Sequence, residues 1–207
     1  MQLPHQTDCT DREYVSTEGW KEAPRPEKCP CAQGCKGRIQ GHGTYSRQTP
    51  DGMRVRRWRC AECGRTVSML PACMAAHLQG SLEEVEQAVG AAQSEPRPAP
   101  EEVHPSARIE PQGAVRWLRR RVLRVAAGLR AASTLLPNRF AGLPPTVEAF
   151  RGALGGKPAL SRLRKEAAAQ LQQMPCPIGF SCRSIAAPAE PGKSQHCSGL
   201  DPPGPAQ

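Results

Sequence analysis

Residues 29–63, CPCAQGCKGRIQGHGTYSRQTPDGMRVRRWRCAEC, decide the fold of this chain. The stretch begins with three closely spaced cysteines and ends with Cys60-Ala-Glu-Cys63, which Gly64 follows. In a CxxCG unit two thiolates bind one metal ion, and the glycine lets the backbone turn so that amides point at sulfur. The two groups of cysteines therefore predict two metal-binding knuckles.

The residues between the knuckles show the pattern of a β-hairpin. Residues 43–47 and 53–59 are the predicted strands, and Pro50-Asp51-Gly52 is the predicted turn. Proline restricts φ, aspartate caps the local backbone and glycine adopts a positive φ. Two cysteine knuckles joined by a hairpin predict a zinc ribbon, and the helical pattern further along the chain makes the fold class small α+β.

The ligand set follows from the number of thiolates that zinc needs. A closed structural site takes four thiolates, and residues 29–63 contain five cysteines. We predict that one Zn²⁺ is bound by Cys31, Cys35, Cys60 and Cys63. Cys29 is the alternative to Cys31, because both precede Cys35 at short range.

The same region resembles a known class of zinc ribbon. The residues that carry the resemblance are His42-Gly43-x-Tyr45-x-Arg47, Arg57-x-Arg59-Cys60-x-x-Cys63-x-x-Thr66 and Leu70-Pro71. They resemble a transposase-type zinc ribbon and, more narrowly, a bacterial transposase-related family of unknown function. That family has Cys-x-x-Cys at its first knuckle, where this chain has an irregular cluster. The resemblance implies DNA binding in mobile-element proteins and does not by itself imply catalysis.

The composition argues against one large core and for an anionic partner. Of 207 residues, 38% are hydrophobic and 4% aromatic, and 22 prolines and 19 glycines interrupt the rest. We therefore expect a small module stabilised by a metal ion, with some helices and disordered ends. The net charge is +9, and 22 of the 28 basic residues are arginine, whose planar fork matches phosphate. A GC-rich genome would also raise the arginine count.

The ten cysteines would also suit a secreted disulfide scaffold. The first residues, however, show no basic region followed by an apolar run, and no apolar stretch approaches membrane-spanning length. The sequence therefore predicts a cytoplasmic, nucleoid-associated protein with reduced thiols, half of them grouped for metal, and no membrane partner.

The chain divides into six predicted segments. The helix before the proline-rich linker begins with the capping box Ser81-Leu-Glu-Glu84. In order, the segments are a disordered arm (1–27), the zinc ribbon (28–75), a helix (76–92), a Pro-rich linker (93–111), a helical region (112–174) and a disordered tail (175–207).

Residues 112–136 form the most helical segment, with no proline and no acidic residue. Its predicted apolar stripe consists of Val115, Leu118, Val122, Val125 and Leu129. Because like charges four residues apart repel, the arginines opposite this stripe need a nearby anion. We predict phosphate contacts by Arg116, Arg119, Arg120 and Arg124, and on the second strand by Arg54, Arg56 and Arg57. A solvated face and an acidic protein partner are the alternatives.

Two helices, at 81–92 and 112–136, are predicted to form a helix-turn-helix with the second as the recognition helix.

DNA cleavage by a transposase requires clustered carboxylates that hold two metal ions, whereas the four aspartates lie in the two tails and a turn. We therefore expect no enzyme and no small-molecule substrate. The expected function is zinc-dependent binding of duplex DNA by a transposase-related accessory or fragment, with a separate transposase as a second partner. A zinc-stapled protein-interaction module is the alternative, and an active transposase ranks below it.

Overall fold

The computed structural model describes residues 1–31, 35–106 and 109–181 of the chain, which form a small α+β fold. The four strands are β1 (Gln2–His5), β2 (Ile39–Ser46), β3 (Arg54–Cys60) and β4 (Thr66–Pro71). The seven α-helices of these residues are α1 (Asp11–Ser16), α2 (Leu82–Gln93), α3 (Pro100–Val103), α4 (Pro111–Leu135), α5 (Pro137–Phe140), α6 (Val147–Ala153) and α7 (Ala159–Glu166). Short 3₁₀ turns span Gly19–Lys21 and Ala168–Gln170.

The predicted hairpin is the outer half of a sheet with the order β1-β4-β3-β2. Strands β2 and β3 pair antiparallel, with Tyr45 opposite Val55. At the predicted turn the Met53 amide donates to the carbonyl of Pro50 (3.2 Å), and Gly52 has a φ of 74°. This confirms the hairpin. Strand β4 continues the sheet antiparallel to β3, and β1 lies parallel to β4 at the far edge.

The interpretation of residues 1–27 as a disordered arm is corrected by the structure. Gln2 pairs with Ser68 across β1 and β4. Helix α1 begins with a capping box in which the Thr10 amide donates to Glu13 Oε2 (2.7 Å). Tyr14 and Trp20 are buried in the main core. Two large aromatic side chains and a strand pairing thus order a segment whose composition is otherwise polar.

Helix α2 begins where the capping box predicts. The Ser81 amide donates to Glu84 Oε2 (2.8 Å), and the Glu84 amide donates to Ser81 Oγ (3.1 Å). The helix starts at Leu82 rather than at residue 76, because residues 72–81 form the connection from the sheet. Its buried face includes Leu82, Val85 and Val89, so the predicted apolar face is the one that packs.

Helix α4 matches the predicted helix, but the face that it buries is rotated about the helix axis relative to the predicted apolar stripe. Leu118, Val125 and Leu129 are buried as the stripe predicts. Val115, in contrast, is 48% exposed, and Arg121 is 6% exposed. The Arg121 guanidinium lies 3.7 Å from the centre of the Trp117 ring and donates to the carbonyl of Gln79 (3.1 Å). These partners let a charged side chain occupy a buried position.

The predicted linker at 93–111 contains helix α3, so the helix-turn-helix prediction is corrected. Proline begins α3, and Glu102 accepts a hydrogen bond from the Ala99 amide (3.3 Å). Val103 packs with Leu118 of α4 in a small apolar cluster. Helices α2 and α4 do pack against each other, but a third helix lies between them in sequence, which the tight turn of that motif excludes.

One hydrophobic core joins the sheet to the helices and to the segment after α7, although the composition argues against a large core. It is built largely from small and medium aliphatic side chains, with Phe140 and Phe150 stacked at 5.1 Å. Residues 175–181 belong to it, because Ile178 and Phe180 are buried. The predicted disordered tail is therefore wrong for these residues, and 182–207 lie outside the described part of the chain.

Arg164 lies inside this core with only 1% of its surface exposed. Its guanidinium donates to four backbone carbonyls. The acceptors are Ala72 (2.8 Å), Met74 (2.6 Å), Pro177 (2.5 Å) and Ile178 (2.7 Å). Arg164 thereby connects the loop after β4 to the segment after α7. In the part of the chain that the structure describes, no helix combines the length and apolarity needed to cross a bilayer.

The buried His5 side chain predicts that the folded protein becomes less stable in acid. Its side chain is buried against Tyr14, its Nδ1 atom has no hydrogen-bond partner among the described residues, and burial lowers its pKa below 6.5 while Glu22 opposes this. Between that lowered pKa and 6.5 the unfolded chain binds a proton that the folded chain does not, so acidification favours unfolding. We expect the free energy of unfolding to fall as the pH drops below 6.5.

The substitution His5→Phe keeps an aromatic ring but removes the titration. We expect urea titrations at pH 7 and pH 5 to show a smaller difference for His5→Phe than for the unmodified protein. Burial also lowers the pKa of His77, which accounts for a remaining difference. An unchanged pH dependence in His5→Phe would contradict the role of His5.

Candidate metal centre and arginine surfaces

Four cysteine sulfurs converge at one end of the sheet. The Sγ atoms of Cys29, Cys35, Cys60 and Cys63, here called the cysteine cluster, all lie within 4.8 Å of one another. Cys29 Sγ is 3.5 Å from Cys63 Sγ, and Cys35 Sγ is 3.5 Å from Cys60 Sγ. Zinc–sulfur bonds of about 2.3 Å at tetrahedral angles place sulfurs about 3.8 Å apart. The cluster therefore could hold one metal ion with little movement.

The second knuckle is formed by the end of β3 and the turn after it. The Cys60 amide donates to the carbonyl of Arg65 (2.9 Å), and the Gly64 amide donates to the carbonyl of Cys60 (3.0 Å). Gly64 has a φ of 69°, which a side chain would disfavour. The amides of Cys63 and Glu62 point at the Cys60 sulfur and lower the pKa of this thiol to about 7. A thiol with this pKa readily supplies a thiolate for a metal.

The first knuckle leads into β2 and lies directly against the second. The Ala61 amide donates to the carbonyl of Arg38 (3.0 Å), which ties the two knuckles together. A Cβ atom on Gly37 would lie 2.6 Å from the Cys60 sulfur, so only glycine fits at this position. Gly37 could not be singled out from the sequence, since nothing in the local pattern separates it from the other glycines of residues 29–63.

The structure places Cys29, the alternative ligand, in the cysteine cluster. Cys31, the preferred ligand of the sequence prediction, is buried beside the cluster, and its sulfur accepts a hydrogen bond from the Cys35 amide (3.4 Å). Burial is the main cause that raises the pKa of Cys29 to about 11. The spacing alone does not separate the two, because either cysteine reaches Cys35 within one short loop.

A thin apolar layer covers the cysteine cluster. Ile39 is buried among the cysteines, and Trp58 packs against them. Trp58 also contacts a small cluster formed by Ala23, Val67 and Met69. Its indole nitrogen is buried and has no hydrogen-bond partner among the residues that the structure describes. Trp58 thus serves as part of the apolar packing at this end of the sheet.

The predicted strand arginines Arg54, Arg56 and Arg57, here called the sheet arginines, lie over aromatic rings. Arg54 lies over Trp20 at 5.6 Å, Arg56 over Trp58 at 5.0 Å and Arg57 over Tyr45 at 5.9 Å. Arg54 is exposed, and the other two are half-buried. Stacking on a ring leaves the guanidinium edge free to donate to a planar anion.

The predicted helix arginines Arg116, Arg119, Arg120 and Arg124 differ in their surroundings. The first three are exposed, and the Arg116 Nε atom donates to the carbonyl of Gln112 in its own helix (3.2 Å). Arg124 is half-buried, and its Nη1 atom donates to the carbonyl of His77 (2.8 Å). Arg124 is therefore partly a structural residue, and the other three have most of their donors available.

The loop at residues 75–80 connects the two arginine surfaces. Arg47, at the end of β2, donates to the carbonyls of Ala75 and Leu78. Arg121 and Arg124 of α4 donate to the carbonyls of Gln79 and His77 in the same loop. The hairpin end of the sheet and the middle of α4 are thus anchored to one segment. No local signal in the sequence distinguishes these structural arginines from those available to a ligand.

Comparisons of the chain with protein-family models, with curated proteins and with solved structures find no match. The resemblance to a transposase-type zinc ribbon therefore stays a prediction from the residue pattern.

Proposed function

We propose that this protein binds duplex DNA through its exposed arginines and that a zinc ion in the cysteine cluster holds the sheet in its binding conformation. The zinc ligands in this proposal are Cys29, Cys35, Cys60 and Cys63, which form a zinc ribbon. The residue pattern at 42–71 supports a role as a transposase-related accessory or fragment that acts on the nucleoid. We propose no strand cleavage by the protein alone.

The observation that carries the proposal is the lack of acidic partners at the predicted arginines. Within residues 1–31, 35–106 and 109–181, none of the sheet or helix arginines forms an ion pair. The acidic side chains pair elsewhere, for example Glu86 with Arg151 and Asp8 with Lys165. The protein has a net charge of +9, and arginines without acidic partners in such a protein favour a polyanion as the ligand.

The proposed zinc has a structural role. Four thiolates complete a tetrahedral shell, so no coordination position remains for a substrate or a reactive water. In such a site the binding of the metal contributes directly to folding. The ion would keep β2 and β3 in the register that displays the sheet arginines.

A salt titration of DNA binding tests the proposal. We expect the triple substitution of Arg54, Arg116 and Arg120 by Gln to lower the slope of log K against log salt by about 2.7, since each lost phosphate contact removes about 0.9. At about 0.1 M salt the affinity should fall on the order of a few hundred-fold, by similar factors for unrelated sequences. Fluorescence anisotropy with labelled duplexes measures both quantities.

The control variant removes the same charge from other elements. Arg12, Lys157 and Lys165 are exposed, and Lys165 makes only a solvent-exposed ion pair with Asp8. Their replacement by Gln should change affinity much less and leave the number of phosphate contacts unchanged. Equal losses in the two triple variants would show that net charge alone attracts DNA. Unchanged affinity and slope in the Arg54/Arg116/Arg120 variant would contradict DNA binding by these arginines.

A further inference from the structure

Helix α4 exposes two large apolar side chains that neither the core nor DNA binding explains. Val115 is 48% exposed and Leu123 is 56% exposed; among the described residues only Met1 is a comparable exposed hydrophobic residue. Eight residues separate them along the helix, which places them about 12 Å apart and within about 80° on the helix surface. Arg119 lies between them on the same side.

This side of α4 borders a groove. A hollow of about 300 Å³ lies between α4 and residues 92–100. Its lining includes Ala92, Leu118, Val122 and Leu123, and Arg97 and Arg119 supply its charge. A second hollow, lined by Pro111, Gln112, Val115 and Arg116, shares Val115 with the first. We call the two hollows together the α4 groove.

Charge and shape point to one kind of occupant. Among the residues that the structure describes, no aspartate or glutamate lines either hollow, whereas Arg97, Arg116 and Arg119 do. An apolar floor with a basic rim complements a helix that has one apolar face and acidic flanks. We propose that the α4 groove docks an acidic amphipathic helix of a partner protein.

The groove also sets the length of that helix. From Pro111 to Leu123 the α4 axis extends about 18 Å, which matches about twelve residues of a bound helix. Three or four apolar side chains at positions i, i+4, i+7 and i+11 would contact the groove floor. Carboxylates on either side of this row would pair with the arginine rim.

Neither of two other occupants fits these side chains as well. A second copy of the chain would bring an identical basic rim and a net charge of +9 to the same surface, which is repulsive. A DNA backbone would desolvate Val115 and Leu123 without offering apolar contacts. Arg116, one of the three arginines substituted in the DNA-binding test, also lines the groove, whereas Arg54 and Arg120 do not. Arg54 and Arg120 are therefore the residues that separate the two surfaces.

The probe is a pair of labelled sixteen-residue peptides of identical composition. One places Leu at i, i+4, i+7 and i+11 with Glu on both flanks, and the other scrambles this order. We expect the full-length protein to bind the amphipathic peptide with micromolar affinity and the scrambled peptide at least tenfold more weakly, as measured by fluorescence anisotropy.

Reciprocal variants separate this surface from the DNA surface. Val115→Ser/Leu123→Ser should weaken peptide binding at least tenfold and leave DNA binding unchanged. Arg54→Gln/Arg120→Gln should do the reverse. Circular dichroism checks that both variants stay folded, as their exposed positions predict.

Three results would overturn the inference. The first is equal binding of the two peptides, or peptide binding that survives Val115→Ser/Leu123→Ser. The second is loss of DNA affinity in this variant without loss of peptide affinity, which would make the groove part of the DNA surface. The third is self-association in sedimentation velocity that the variant abolishes, which would identify a second copy as the occupant.

Discussion

Cys60→Ser is expected to abolish stoichiometric zinc binding and to unfold the end of the sheet around the cysteine cluster. The layer over the cysteine cluster contains little more than Ile39 and Trp58, which is too small to hold a sheet end without a staple. Structural zinc in small modules contributes about 10–16 kcal/mol of binding free energy at neutral pH. Elemental analysis of the unmodified protein, purified under reducing conditions without chelator, should give one zinc per chain. Chelation should remove amide-exchange protection near the cysteine cluster, at residues 35–41 and 58–66.

A pair of matched variants distinguishes the two candidate ligands. Cys29 lies in the cysteine cluster, and Cys31 accepts a hydrogen bond from the Cys35 amide beside it. We expect Cys29→Ser to lose most of its zinc and Cys31→Ser to retain one zinc per chain. Loss in Cys31→Ser with retention in Cys29→Ser would restore the ligand set predicted from the sequence. Zinc-free unmodified protein would defeat the metal assignment altogether.

Features that depend on a few neighbouring residues could be predicted from the sequence. The hairpin turn needs only Pro50, Asp51 and Gly52, and the start of α2 needs only Ser81 and Glu84. The interactions that define these features connect atoms close in sequence, so the residue pattern contains the necessary information. The two cysteine knuckles belong to the same class, although the choice between Cys29 and Cys31 depends on how the first knuckle folds.

Features that depend on distant contacts could not be predicted in this way. Strand β1 has only four residues, and its pairing with β4 joins the two ends of a long segment. The rotation of α4 depends on Arg121, whose burial requires both Trp117 and a carbonyl of the loop at residues 75–80. A helical wheel assigns arginine to the solvent side, because it contains no information about such partners.

At the candidate DNA surface, the sequence likewise does not show which arginines are available to contact phosphate. Arg47 and Arg124 look identical in sequence to the arginines proposed to contact phosphate, yet both donate to backbone carbonyls of one loop. Arg116 and Arg120 of the same helix remain exposed. An arginine-rich sequence therefore gives an upper limit for the number of phosphate contacts, and the structure selects the subset worth testing.

Arg164→Met is expected to destabilise the protein by about 3 kcal/mol. The substitution removes four hydrogen bonds to carbonyls, and of these acceptors only Pro177 has another donor recorded among the described residues, the Ala76 amide. Each unsatisfied buried carbonyl costs about 1–3 kcal/mol of stability. Removal of the buried charge also removes its desolvation cost, which offsets part of this loss. Burial lowers the pKa of Arg164, which reflects that desolvation cost.

Arg164→Lys and Lys165→Met complete the experiment. Lysine keeps the charge but cannot match the planar fork whose Nε donates to Ile178 and whose Nη1 donates to Ala72, so an intermediate loss of stability is expected. Lys165 makes an exposed pair with Asp8, and its replacement should cost less than about 1 kcal/mol. Urea titrations measure all three. If Arg164→Met were as stable as the unmodified protein, the carbonyls around the guanidinium would not depend on it, and apolar packing alone would hold residues 174–181 against the loop after β4.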